Sequence, residues 1–281
     1  MPNKTIIFVA DQFAEEYEGG GELNNQEAIE LLKDNGYDVV KRRATNASVD
    51  FLREKKDAFF ILANFTHLTD GAKSYFCNLD YIIYEHDHKY VKSRNPADYP
   101  DFIAPPSEIT NYDLYASAKS ILVQSVLHKK IIESNLKLPN VINLGGNLWS
   151  LASLDKMRGI STLPKENKHA IMASPFGHKN TIGAISYCVE KGLDYKLIEN
   201  MSYHLFLEEL GKCTAFVFFP QTPETLSRVI VEARMMGLNI HSSNLVGAMS
   251  EEWISLKGGE LIDFMINKRT DIFQIIKQCI N

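Results

Sequence analysis

Short apolar runs alternate with helix-like segments along nearly the whole chain, and the pattern starts afresh after about residue 150. Thr5-Ile6-Ile7-Phe8-Val9-Ala10 is continuous and apolar, as a strand covered on both faces of a parallel sheet must be. Glu22 to Asn35 carries Leu23, Ala28, Ile29, Leu31 and Leu32 on one helical face and stops at Asn35-Gly36. Tyr37–Val40, Ala58–Ala63, Tyr81–Tyr84, Ser120–Gln124 and Pro139–Leu144 are further strand candidates. Such alternation predicts βαβ units around a parallel sheet.

In the second half, His169–Ala173, Tyr195–Ile198, Ala215–Phe219 and Asn239–His241 read as strands. Helices are expected near Asn180–Lys191, Tyr203–Lys212 and Glu224–Met236. The polar stretch around Asp155–His169, with Gly159 and Pro164, reads as a linker. The expected organisation is therefore a first domain over 1–150, a linker over 151–168 and a second domain over 169–268. A C-terminal helix over 269–281, with Ile272, Ile275, Ile276 and Cys279 on one face, is expected to pack back on the first domain. Two consecutive α/β sheets place the expected ligand site in the cleft between them, where carboxyl ends of strands and helix N-termini converge.

Composition narrows the function classes. The chain has 281 residues, 45% hydrophobic and 23% charged, enough apolar material for two cores. No run approaches the roughly 20 apolar residues of a membrane-spanning helix. Met1-Pro2-Asn3-Lys4 leads into a strand without a signal-peptide pattern, and Cys77, Cys188, Cys213 and Cys279 lack metal or redox spacing. A cytoplasmic protein with reduced thiols is expected. The net charge of −5 argues against broad attraction to nucleic acid or anionic membranes, while leaving a local basic surface open.

The chemistry-bearing residues concentrate in a few segments. After the apolar run ending at Phe219, Pro220-Gln221-Thr222-Pro223 makes a turn, and a helix is expected to open near Glu224. Glu224 and Glu232, with seven residues between them, would then lie two turns apart on one face. So placed, the two carboxylates can accept hydrogen bonds from sugar and ribose hydroxyls. The plainer alternative makes Glu224 a first-turn dipole partner and Glu232 an exposed helix residue. Ala173-Ser174-Pro175-Phe176-Gly177-His178-Lys179-Asn180 links a strand to a helix, where Lys179 can meet a phosphate or simply be solvated. Gly19-Gly20-Gly21 also lies between a strand and a helix; it can let a ligand approach the backbone or serve as an ordinary turn.

Glu85-His86-Asp87-His88-Lys89-Tyr90 follows the YIIY strand. It admits a ligand-facing His86, a metal site or a self-bonded polar loop. Beyond it, Lys89, Lys92 and Arg94 with Tyr90 and Tyr99 form a basic, aromatic loop that can bind an acceptor carrying phosphate or bases, or be plain surface.

The Phe216–Ala233 segment resembles the E-x7-E motif of retaining GT-B glycosyltransferases, particularly those like glycosyltransferase family 4. That resemblance implies an α/β GT-B fold, two Rossmann-like domains with parallel sheets facing across a cleft. It implies that Glu224 contacts the donor sugar, that Glu232 holds the ribose and that Lys179 meets the diphosphate. His86 would point at the transferred sugar. Gly19, Gly20, Gly21, Ser174, Thr225, Leu226, Ser227 and Arg228 complete the implied donor site, with Asp87, His88, Lys92, Arg94 and Tyr99 on the acceptor side. The family's loop after the first Glu is Gly-rich, whereas this chain has Thr225-Leu226-Ser227. The family's diphosphate-binding Arg is also missing before Lys179, and Arg228 is its candidate replacement.

The resemblance further implies a hexosyl or pentosyl transferase, with a UDP-sugar favoured as donor and neither cofactor nor metal required. Glycans, small molecules and hydroxymethylated bases in DNA are all open as acceptors. An idle nucleotide-binding scaffold and a sugar-nucleotide epimerase are the alternatives.

Overall fold

The computed structural model describes residues 5–280; Met1–Lys4, read for a leader, and Asn281 lie outside the described residues. The chain divides into two compact units, residues 1–148 with 270–281, and residues 149–269.

Unit 1 is built in the order β1 (Ile6–Ala10), α1 (Gly20–Asp34), β2 (Val39–Arg43), α2 (Val49–Glu54), β3 (Phe59–Leu62), α3 (Asp70–Phe76), β4 (Tyr81–Tyr84), α4 (Tyr112–Ala116), β5 (Ile121–Val123), α5 (Val126–Leu136) and β6 (Val141–Asn143). The six strands are parallel, in the order β2-β1-β3-β4-β5-β6. Side chains alternate across the sheet. Ile7, Val9, Phe60, Leu62, Tyr81 and Ile83 enter one core with Leu52, Phe76, Tyr115 and Ile132 from the helices. Ile6, Phe8, Phe59, Ile61, Ile82 and Tyr84 enter the other with Ile29, Leu32, Ile272 and Ile276. Two covered faces explain why these strands read as unbroken apolar runs.

Unit 2 runs α6 (Leu151–Ser161), β7 (Glu166–Met172), α7 (Thr181–Lys191), β8 (Tyr195–Ile198), α8 (Tyr203–Gly211), β9 (Cys213–Phe218), α9 (Arg228–Met235), β10 (Asn239–Ser242) and α10 (Gly259–Ile280), whose last turns count with unit 1. Its four-stranded parallel sheet has the order β10-β9-β7-β8. Ala170, Phe216 and Phe218 face one core, and Ile171 and Val217 face another with Ala184 and Cys188 of α7.

Three expectations require correction. Residues 151–168 are not a linker but α6 and the start of β7. Ser150 caps α6 by accepting the Ser153 N–H at 3.0 Å, and Leu154, Met157 and Ile160 bury one face, while charges on the other face give the segment its polar look. The C-terminal helix begins at Gly259, well before residue 269. Glu224 also lies outside any helix. Its N–H donates to the Leu245 carbonyl at 2.8 Å, and its carbonyl accepts from Gly247 at 2.9 Å, in a parallel bridge to Val246. Helix α9 therefore starts only at Arg228, after Ser227 turns through φ 71°.

Candidate functional site

In unit 2, two loops at the carboxyl ends of β7 and β9 are joined. Asn180 donates from Nδ2 to the Phe219 carbonyl at 2.8 Å, and the Gln221 N–H donates to the His178 carbonyl at 2.8 Å. These bonds bring Lys179 beside Glu224, with Nζ 2.7 Å from Oε1. Both side chains are partly exposed, so the pair is accessible to a ligand from solvent. Ser174 lies in the first loop, its N–H bonded to Thr181 Oγ1 and its hydroxyl accepting from the Phe176 N–H.

Glu232 is only 3% exposed. Its Oε1 accepts from Trp149 Nε1 and from the Tyr203 hydroxyl, each at 2.9 Å, and lies 3.5 Å from Arg228 Nε. The Arg228 guanidinium lies 4.6 Å from the centre of the Trp149 ring, so Arg228 is held against Glu232 and Trp149. Burial, reinforced by Glu232, pushes the Tyr203 hydroxyl well above its ordinary pKa and keeps it a donor.

Sequence reasoning missed Trp149 and Tyr203. A buried Trp needs an acceptor for its N–H, but that rule does not say which group supplies it. Leu226, expected at the donor, has its side chain fully buried in the core. Ser227 keeps the left-handed backbone that a glycine would ordinarily supply.

In unit 1, Asp11, Asn64, His86 and Gln124 follow the carboxyl ends of β1, β3, β4 and β5, four adjacent strands. The α1 N-terminus, with Gly20 and Gly21 in its first turn and Gly19 as its cap, belongs to the same group. A Cβ on Gly21 would sit 3.7 Å from His86 Cγ and 3.8 Å from Asn64 Nδ2. His86 is held at both ring nitrogens, Nε2 by Asn25 Oδ1 at 2.6 Å and Nδ1 by the Gln124 amide. These partners fit the neutral tautomer with its proton on Nε2. Glu22 accepts from Asn64 at 3.4 Å, and burial raises its pKa.

The rest of the loop after β4 bonds largely to itself. Glu85 is fully buried with Lys89 and the Tyr115 hydroxyl on its carboxylate. Burial raises the Glu85 pKa against the pull of Lys89. Burial also pushes Asp87 up, but Lys89 and its ion pair with Arg94 outweigh it and hold the carboxyl at about 2. His88 is buried, with Nδ1 2.8 Å from the Tyr90 hydroxyl and its ring edge-on to His128. Burial and neighbouring His88 press His128 well below the usual range, so it is neutral. Lys92 stands 3.8 Å from Glu108, and Tyr99 packs against the unit 1 core. Among the described residues no group of three or more His, Cys, Asp or Glu side chains is placed to hold a metal.

No protein-family model matches the chain, and no curated protein matches it. Solved structures share its architecture. HepE of Anabaena, in complex with UDP and glucose, is 14% identical over 99% of this chain and 92% of that one, with a TM-score of 0.55. Sucrose-phosphate synthase of Thermosynechococcus elongatus is 10% identical over 98% and 99%, at 0.61. An alpha-glucosyltransferase in complex with UDP and a 13-mer DNA containing a HMU base is 10% identical over 97% and 94%, at 0.51. The chain has the α/β fold of the GT-B glycosyltransferases, with two Rossmann-like parallel sheets of six and four strands. At these identities the likeness is one of fold. Among the described residues, no helix is long and apolar enough to cross a membrane.

Proposed function

We propose that this chain is a glycosyltransferase that moves a sugar from a nucleotide-diphosphate donor, a UDP-sugar first, to a hydroxyl acceptor with retention at the anomeric carbon. The observation that carries this reading is the arrangement in unit 2. Lys179 and Glu224 are paired at the carboxyl ends of the sheet, and the buried Glu232 carboxylate is fixed through Oε1 by Trp149 and Tyr203. On the E-x7-E pattern, Glu232 Oε2 accepts from a ribose hydroxyl while Trp149 and Tyr203 fix the carboxylate. Glu224 holds Lys179 in place until a diphosphate takes the ammonium, and then binds a hydroxyl of the sugar. HepE and the alpha-glucosyltransferase of the same fold are each described with UDP bound, which fits this donor.

In the transfer, the bond from the anomeric carbon to the diphosphate oxygen breaks. A bond to the acceptor oxygen forms, and the acceptor proton leaves with the diphosphate. Lys179 and the positive N-terminal end of α9 stabilise the charge that develops on the leaving group. Arg228, held between Glu232 and Trp149, is proposed to add positive charge beside them. His86, held at both ring nitrogens by Asn25 and Gln124, is proposed to present its ring edge to the transferred sugar. No metal or cofactor is assigned a step.

The buried Leu226, in place of a glycine-rich loop, favours a second reading, a nucleotide-binding protein without turnover. Measuring nucleotide diphosphate release from UDP-, GDP-, ADP- and dTDP-sugars separates the two. Turnover that falls about a hundredfold in Lys179→Ala supports the transferase. Donor binding without release, with every acceptor tried, supports the idle protein.

A further inference from the structure

The basic residues of the loop after β4 are the part of unit 1 best suited by composition to a phosphate-bearing acceptor. Each already has an acidic partner: Lys89 is buried against Glu85, Arg94 is paired with Asp87, and Lys92 stands 3.8 Å from Glu108. Charge is also unevenly divided between the units. Unit 1 carries 22 Asp and Glu against 17 Lys and Arg, and unit 2 carries 13 of each, so the whole net charge of −5 resides in unit 1.

Around His86 the polar groups are carboxylates, amides and an imidazole. Glu22 and Asn64 bond one another, Asn25 and Gln124 hold the ring, and Asp11 accepts the N–H groups of Thr66 and His67 at 2.9 and 3.1 Å. These groups follow β1, β3, β4 and β5, and the chain reverses its direction of winding between β1 and β3, which is where open parallel sheets bind ligands. A second observation points to a ligand here. Asn25 is completely buried with its Oδ1 on His86, yet its Nδ2 has no hydrogen-bond partner among the described residues. A buried amide donor left unsatisfied is costly, and a bound hydroxyl would satisfy it.

Resting on the transferase reading, we infer that unit 1 binds an uncharged, polyhydroxylated acceptor, recognised by Glu22, Asn64 and the Asn25-held His86, and not a phosphorylated sugar or a nucleic acid. Carboxylates and amides accept and donate to neutral hydroxyls at small cost, whereas acidic side chains repel a polyanion, and the neighbouring Arg94 is already paired with Asp87. Burial raises the pKa of Glu22, so the group is desolvated as a hydroxyl-binding carboxyl would be.

The test uses the whole chain and whichever UDP-sugar it binds. Unmodified mono- and disaccharides, their 6-phosphates, and a duplex oligonucleotide carrying 5-hydroxymethyluracil are compared as acceptors, with product mass as readout. Transfer to the neutral sugars is expected, with a rate that changes less than about twofold between roughly 50 and 300 mM salt. Glu22→Gln should raise the acceptor KM about tenfold and leave UDP affinity unchanged. Preferential transfer to the phosphates or the oligonucleotide, a rate that collapses with salt, or an unmoved acceptor KM in Glu22→Gln overturns this inference alone. Absence of UDP-sugar binding by the folded protein overturns the transferase reading and this inference with it.

Discussion

Lys179 donates to Glu224 Oε1 across 2.7 Å although 45 residues separate them. The contact exists because the loops after β7 and β9 are tied by Asn180 to the Phe219 carbonyl and by Gln221 to the His178 carbonyl. A cation and a carboxylate are thereby presented together, partly open to solvent, at the end of a parallel sheet. A ligand with both phosphate and hydroxyl groups can take over both partners.

This pair should matter to turnover far more than to folding. Lys179→Ala is expected to lower kcat about a hundredfold. It should change stability by no more than about 1 kcal/mol, since a partly exposed ion pair contributes little. Parallel kinetics and urea denaturation check both numbers.

Ser227 occupies a left-handed conformation at φ 71°, and its buried hydroxyl has no hydrogen-bond partner among the described residues. Left-handed strain costs a non-glycine residue about 1–2 kcal/mol, and glycine's greater unfolded-state freedom takes back about 0.5–1. Removing the orphaned hydroxyl adds to the gain, so Ser227→Gly should stabilise unit 2 by about 1 kcal/mol. A thermal melt that rises by a few degrees meets the expectation; a fall contradicts the assigned backbone.

The Asp87–Arg94 pair sets a pH dependence. Asp87 is held at about 2, below its unfolded value, so its contribution is fully present above the ordinary carboxylate range and is lost as pH falls through about 2. Glu85 works in the opposite sense, because burial raises its pKa and its contribution declines as pH rises through the folded value. Arg94→Gln should let Asp87 titrate higher and cost up to about 1 kcal/mol near neutrality, discounted because Arg94 is half exposed. The difference between variant and parent should close by about pH 2 in acid-unfolding curves.

The central strands β1, β3, β4 and β5 lie where the apolar runs predict them, because strands covered on both faces leave an unbroken signature in sequence, whereas β2 runs on through Lys41–Arg43 and β7 begins at Glu166, beyond the runs that were read. Helices were harder to read. Segment 151–161 looks like a linker, since charged Asp155, Lys156 and Arg158 mask the buried Leu154, Met157 and Ile160. Met157→Ala should cost about 2–5 kcal/mol, where a linker would tolerate the change.

The candidate site was legible as residue types but not as geometry. The Glu224–Glu232 spacing suggests one helix, yet backbone pairing with residues 245–247 keeps Glu224 extended. Nothing local to Glu232 announces Trp149 or Tyr203, which are 83 and 29 residues away. The basic loop reads as either an acceptor-binding surface or plain surface, because its acidic partners Glu85, Asp87 and Glu108 become visible as partners only once the chain is folded.

The most direct test of a nucleotide-sugar site in unit 2 is calorimetric titration of UDP and UDP-sugars into the parent protein and Glu232→Gln. Glutamine keeps an oxygen for Trp149 and Tyr203 and replaces the second acceptor, Oε2, with a donor. Saturable binding by the parent, weakened about tenfold or more in a variant of nearly unchanged melting temperature, is the expected result. A folded parent that binds no nucleotide or nucleotide-sugar, or a Glu232→Gln variant that binds as tightly, would contradict it.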